Sequence, residues 1–113
     1  MFIVNEKDKE YRFGDNGPKY LMRGPRMSFG ILQLKPGQEF TAHYHSVMEE
    51  NFYVLEGRIK FIINGVSYIL GSGELIHTEP GEVHHLINTG EGYARVIISL
   101  APYMDNDKVE VED

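Results

Sequence analysis

Apolar positions in this chain recur every second residue, in short runs broken by glycine, proline and asparagine. In "RIKFII", Ile59, Phe61 and Ile63 share one face, with Arg58, Lys60 and Ile62 on the other. Alternation of that kind predicts half-buried β-strands. Asn64-Gly65 follows, the strongest two-residue hairpin signal, and "VSYIL" reads as the return strand. "SFGILQL" upstream and "ELIHT", "VHHLIN" and "YARVIISL" downstream also read as strands. Glu79-Pro80-Gly81-Glu82 suits a type II turn, with proline second and glycine third. Almost nothing repeats at helical spacing. Many short, evenly spaced strands without helices predict an all-β chain, either a sandwich or a small closed barrel.

The flanks are less regular. Phe2-Ile3-Val4 is expected to be an edge or exchanged strand, and "GDNGPKY" a loop. The expected barrel core runs from about 27 to 101. Residues 1–26 form an N-terminal strand and loop, a candidate dimer contact, and 105–113 form a mobile acidic tail. At 113 residues, 42% of them apolar, the whole chain is read as one domain filling one core. A barrel this small leaves open sheet edges, so a homodimer is expected.

Charge and cysteine content narrow the partners. The net charge is −6 and no basic stripe is present, so nucleic acid is not an expected partner. The absence of cysteine removes disulfides and thiolate ligands. No apolar stretch is long enough for a membrane span and no signal-peptide pattern opens the chain, so the expected location is cytoplasmic.

The candidate chemistry lies in "HYHSVMEENFYVLEG", residues 43–57. In a strand, residues i and i+2 share a face, so His43 and His45 project together. A short turn through Ser46-Val47-Met48 brings the next strand alongside, and a carboxylate near its start can reach the same point. "EVHHLIN" offers a third imidazole. Imidazoles with a carboxylate suit divalent first-row metals: manganese, iron, nickel, copper or zinc.

Here the chain resembles the cupin superfamily, in its small single-domain bacterial form. The family's first motif reads Gly37, "QEFTA", His43-Tyr44-His45, "SVME", Glu50, "NFYVLE", Gly57, and every fixed position matches. The second reads Gly73, "ELIHT", Glu79-Pro80-Gly81, "EV", His84, "HLI", Asn88, with Glu79 standing where the family usually has proline. The resemblance covers Gly37 to Asn88 well and the flanks loosely. It implies a double-stranded β-helix, or jelly roll, in which His43, His45, Glu50 and His84 bind one metal, manganese or iron foremost. Glu49 and His85 then face away.

Three neutral imidazoles and one carboxylate would leave a divalent ion with one positive charge. In six-coordination two adjacent positions stay open for a chelating small molecule, such as a 2-hydroxy or 2-keto acid, an ene-diol, a sugar or a catechol. Phe52 and Val54 share the parity of Glu50 and are expected to face inward, Phe52 against the ligand. Arg26 is a candidate anchor for an anionic substrate. His77 and Glu79 are candidate acid–base residues if both line the barrel mouth, whereas Glu39, Glu56 and Glu82 read as solvated charges. The intact ligand set favours a metalloenzyme of dioxygenase, isomerase or decarboxylase type. The alternative is a non-catalytic module that binds or senses a sugar or small ligand.

Overall fold

Each strand predicted between Ser28 and Leu100 is present in the computed structural model, which describes residues 1–111. After a 3-10 turn at Glu6–Asp8 come β1 (Gly17–Arg23), β2 (Ser28–Leu34), β3 (Glu39–His45), β4 (Glu49–Glu56), β5 (Arg58–Ile63), β6 (Val66–Gly71), β7 (Leu75–Thr78), β8 (His84–Asn88), β9 (Ala94–Ala101) and β10 (Lys108–Glu110). They form two five-stranded antiparallel sheets, ordered β1-β2-β9-β4-β7 and β10-β3-β8-β5-β6. This is a jelly roll. The β5–β6 connection is the predicted hairpin: Asn64 and Gly65 both have positive φ, 48° and 84°, as a type I′ turn requires.

The inward faces of the two sheets make one core. Leu34, Val54, Ile59, Phe61 and Val96 are fully buried, with Phe52 set edge-on against Phe61 at 5.3 Å between ring centroids. Burying one such side chain contributes about 1.5–3 kcal/mol, so the paired faces dominate stability. No helix among the described residues is long and apolar enough to cross a membrane.

The flanks differ from expectation. "GPKY" is not loop: it opens β1, an edge strand that pairs with β2 from Gly17↔Gln33 to Arg23↔Ser28. A glycine and a proline at its start hid it, and proline is tolerated there because an edge strand has a side without ladder bonds. Phe2-Ile3-Val4 lies outside every strand of the chain, with Phe2 and Ile3 exposed. The segment from Asp105, expected to be mobile, is tied down. Lys108, Val109 and Glu110 pair with His45, Tyr44 and His43, covering the edge of β3. Asp107 is buried. Residues 112 and 113 of the expected tail lie outside the described residues.

Candidate metal centre

Two strands of one sheet and one of the other bring four ligand groups together. β3 carries His43 and His45, and β8 carries His84 directly across from His43 in the ladder. Glu50 reaches over from β4 in the facing sheet. All four are buried, and one ligand atom from each lies within 4.8 Å of the others. The parity assignment separates the doublets as expected. Glu49 turns outward, 3.7 Å from His77, and His85 turns toward Glu39 at 3.5 Å.

Backbone carbonyls orient the imidazoles. His43 Nδ1 donates to the Thr41 carbonyl at 2.9 Å, and His84 Nδ1 to the Glu82 carbonyl at 3.1 Å. A carbonyl only accepts, so each Nδ1 carries the proton and each Nε2 lone pair is left for the centre. His45 Nε2 and His84 Nε2 both approach Glu50 Oε1 at 3.1 Å. The His84 contact is out of line for a hydrogen bond, so this buried nitrogen has no hydrogen-bond partner in the protein. Adjacent ligands about 2.1 Å from a shared ion stand about 3 Å apart. The donor set and its spacing therefore fit a divalent metal, which would satisfy the orphaned Nε2.

Electrostatics keep His43 and Glu50 in the protonation states that metal binding needs. Burial lowers the His43 pKa to about 4, so its imidazole is neutral at neutral pH. Burial opposes ionisation of Glu50, but the His45 and His84 imidazoles outweigh it and hold the carboxyl below its usual range. Neutral imidazole and ionised carboxylate are the binding forms.

A cavity of about 100 Å³ opens over the cluster, walled by Leu32, Phe52, Leu86 and Ile98. Phe52 lines it, as expected from its parity. Phe40 also lines it, although its parity is opposite to that of His43. A register shift between Phe40 and His43 turns both inward. The N-terminal flank supplies Arg12, Pro18 and Tyr20, and β10 supplies Lys108. Sequence patterning missed these, because Arg12 lies in an irregular segment and β10 is only three residues long.

Two expectations are corrected. Arg26 is exposed in the turn between β1 and β2 and does not line the cavity. His77 and Glu79 do form a contact, Nε2 to Oε2 at 3.0 Å, but on the outside of the barrel. Thr78 between them is the residue that faces inward, its hydroxyl donating to the Glu50 carbonyl at 2.9 Å. His77 instead borders a surface groove with Tyr68 and Leu75. Glu82, expected to be a solvated charge, accepts the Glu79 backbone N–H at 2.7 Å. That bond explains why Glu79 replaces proline: here the turn uses an N–H that proline lacks.

A family model described as a cupin domain matches residues 30–100. The chain belongs to the cupin family. Among its relatives, the tetracenomycin polyketide synthase protein TcmJ of Streptomyces glaucescens is 32% identical over 73 residues, 65% of this chain and 49% of the relative. The oxalate-binding protein of Thermotoga maritima is 32% identical over 72 residues, 64% of this chain and 60% of the relative. This cupin thus spans about half the length of TcmJ. Its fold is similar to that of an uncharacterised double-stranded β-helix protein from Klebsiella pneumoniae, with a TM-score of 0.83, 21% identity, and coverage of 100% and 99% of the two chains.

Proposed function

We propose that this cupin is a small metalloenzyme, of dioxygenase, isomerase or decarboxylase type, that acts on a small oxygenated anion. His43, His45, Glu50 and His84 hold one divalent ion, manganese or iron foremost. The observation that carries this reading is the buried His84 Nε2, 3.1 Å from Glu50 Oε1 yet without a hydrogen bond. A buried polar atom left unpaired costs about 1–3 kcal/mol, a cost that a bound cation removes.

The bound metal would act as a Lewis acid, polarising the oxygens of its ligand. The chain's own residues do the rest. Leu32, Phe52, Leu86 and Ile98 exclude water from the ligand. Thr41 and Glu82 carbonyls fix the two imidazoles by holding their Nδ1 protons. The cavity limits size. An apolar cavity of about 150 Å³ holds benzene, so about 100 Å³ favours a compound of a few carbons.

The second reading is binding without turnover, favoured by the similarity to a protein named for oxalate binding. The two are separated by loading the protein with manganese or iron and screening small 2-hydroxy and 2-keto acids for loss of substrate, under air and under nitrogen. Turnover that disappears in the metal-free protein supports the enzyme. Metal-dependent binding across the panel without turnover contradicts it and favours the binding module.

A further inference from the structure

Of the cavity-wall residues that lie before residue 30, outside the segment shared with the family model, two carry side-chain hydrogen-bond donors, Arg12 and Tyr20. Tyr20 is half-buried on β1 and packs against the core. Across the ladder from it stands Gly30. A Cβ at Gly30 would come 3.1 Å from Tyr20 Cδ1 and 2.7 Å from the Lys19 carbonyl oxygen, so the glycine is what lets this ring lie where it does. Immediately after Tyr20 the β1–β2 register shifts, a bulge of the kind that re-aims a side chain. The Arg23 guanidinium lies 5.1 Å from the ring centroid. Among the described residues, the Tyr20 hydroxyl has no hydrogen-bond partner. Burial and the Glu50 charge push its pKa up, with Arg23 and Arg12 acting the other way, so it remains a donor.

Arg12 is the second residue. Its segment is fixed by the bond from its backbone N–H to the Pro18 carbonyl at 2.9 Å, and its side chain lines the cavity. Lys108 lines the cavity too, but Glu110 already pairs with it at 3.2 Å. Among the described residues, no carboxylate lies within ion-pair distance of Arg12, unlike Arg95, which Glu6 holds at 3.1 Å. The cavity therefore presents one neutral donor and one uncommitted guanidinium above a cluster of ligand groups.

We infer that Tyr20 and Arg12 form the ligand-reading wall of the site and take the free oxygens of a small carboxylate held at the histidine cluster. A carboxylate is acceptor-only and matches both donors. The planar guanidinium fork suits it better than a neutral hydroxyl compound. This rests on the metal reading for where the ligand is held, but the choice of carboxylate over neutral compound belongs to these two residues.

The test is titration calorimetry of oxalate and of ethylene glycol, a neutral diol, on manganese-loaded wild type, Arg12→Ala, Tyr20→Phe and Arg26→Ala, with metal content checked by elemental analysis. Arg12 is exposed and Tyr20→Phe keeps the ring, so both variants are expected to fold. Arg12→Ala should weaken oxalate about tenfold or more and leave the diol unchanged. Tyr20→Phe should weaken oxalate about fivefold. Arg26→Ala, off the cavity, should match wild type. The inference is overturned if Arg12→Ala and Tyr20→Phe both bind oxalate as wild type does, or if loaded wild type binds no oxalate. If the variants weaken oxalate but the metal-free protein binds it as tightly as the loaded one, the reading wall stands and the metal reading fails. If only metal dependence survives, the reverse holds.

Discussion

Asp107 accepts the backbone N–H of Met48, 59 residues earlier in the chain, at 2.8 Å through Oδ2. The same carboxylate accepts from Val47 at 2.9 Å and from Ser46 at 3.1 Å. These three donors form the loop between His45 and Glu50, two of the four candidate ligands. Burial disfavours the Asp107 anion, yet the three N–H bonds outweigh it and lower its pKa. The C-terminal segment thus sets the spacing between a histidine of one sheet and the glutamate of the other.

Asp107→Ala leaves three backbone donors without that acceptor. We expect a stability loss of about 2 kcal/mol and metal affinity weakened about tenfold through misplacement of Glu50. Asp107→Asn, which keeps one acceptor oxygen, should lose less. Urea unfolding and metal competition measure both. Unchanged affinity in Asp107→Ala would remove this residue from the positioning of the site.

Stability of the metal-free protein should depend on pH through His43. Its pKa is about 4 when folded and 6.5 unperturbed. Between those values the unfolded chain binds more protons, so stability is complete above about 6.5 and falls as pH drops toward 4. Glu50, held below its unperturbed 4.5, adds a further loss at lower pH. The urea midpoint should be flat above pH 6.5 and decline below it, and His43→Gln should reduce that decline. A midpoint unchanged from pH 6.5 to 4 would be the contrary result.

Two motif glycines should differ. Gly57 and Gly73 have similar φ, +88° and +91°. A Cβ at Gly57 would lie 2.9 Å from both Ala94 Cα and the Tyr93 carbonyl oxygen, whereas at Gly73 nothing lies within 4 Å. Gly73→Ala should cost about 1–2 kcal/mol from backbone strain alone. Gly57→Ala adds a backbone clash and should cost about 3 kcal/mol or more. Equal melting temperatures for the two variants would contradict the close approach of β9 to Gly57.

The strands were legible because period-two alternation fixes which face each residue takes, and that rule placed His43 beside His45. The choice of Glu50 over Glu49 and of His84 over His85 came from the spacing of the cupin motifs that the chain resembles. Where the rule needs a register it failed. His77 and Glu79 share a face, but which face depends on Thr78, whose hydroxyl is drawn inward by the Glu50 carbonyl. Phe40 was missed because a bulge reverses its parity relative to His43. Arg26 precedes the barrel in sequence, yet the β1–β2 turn carries it away from the cavity that Arg12 reaches. Asp107 falls in the segment that reads as a mobile acidic tail, since nothing local marks a carboxylate whose partners are backbone N–H groups at Ser46, Val47 and Met48.

The central claim is that Glu50, and not its neighbour Glu49, completes a metal site with His43, His45 and His84. The direct measurement is elemental analysis of wild type, Glu50→Gln and Glu49→Gln after saturation with manganese and removal of free ion. We expect one ion per chain in wild type and Glu49→Gln and strongly reduced occupancy in Glu50→Gln, with a lower melting temperature wherever metal is lost. Wild type without bound ion, or full occupancy in Glu50→Gln with loss in Glu49→Gln, would contradict it.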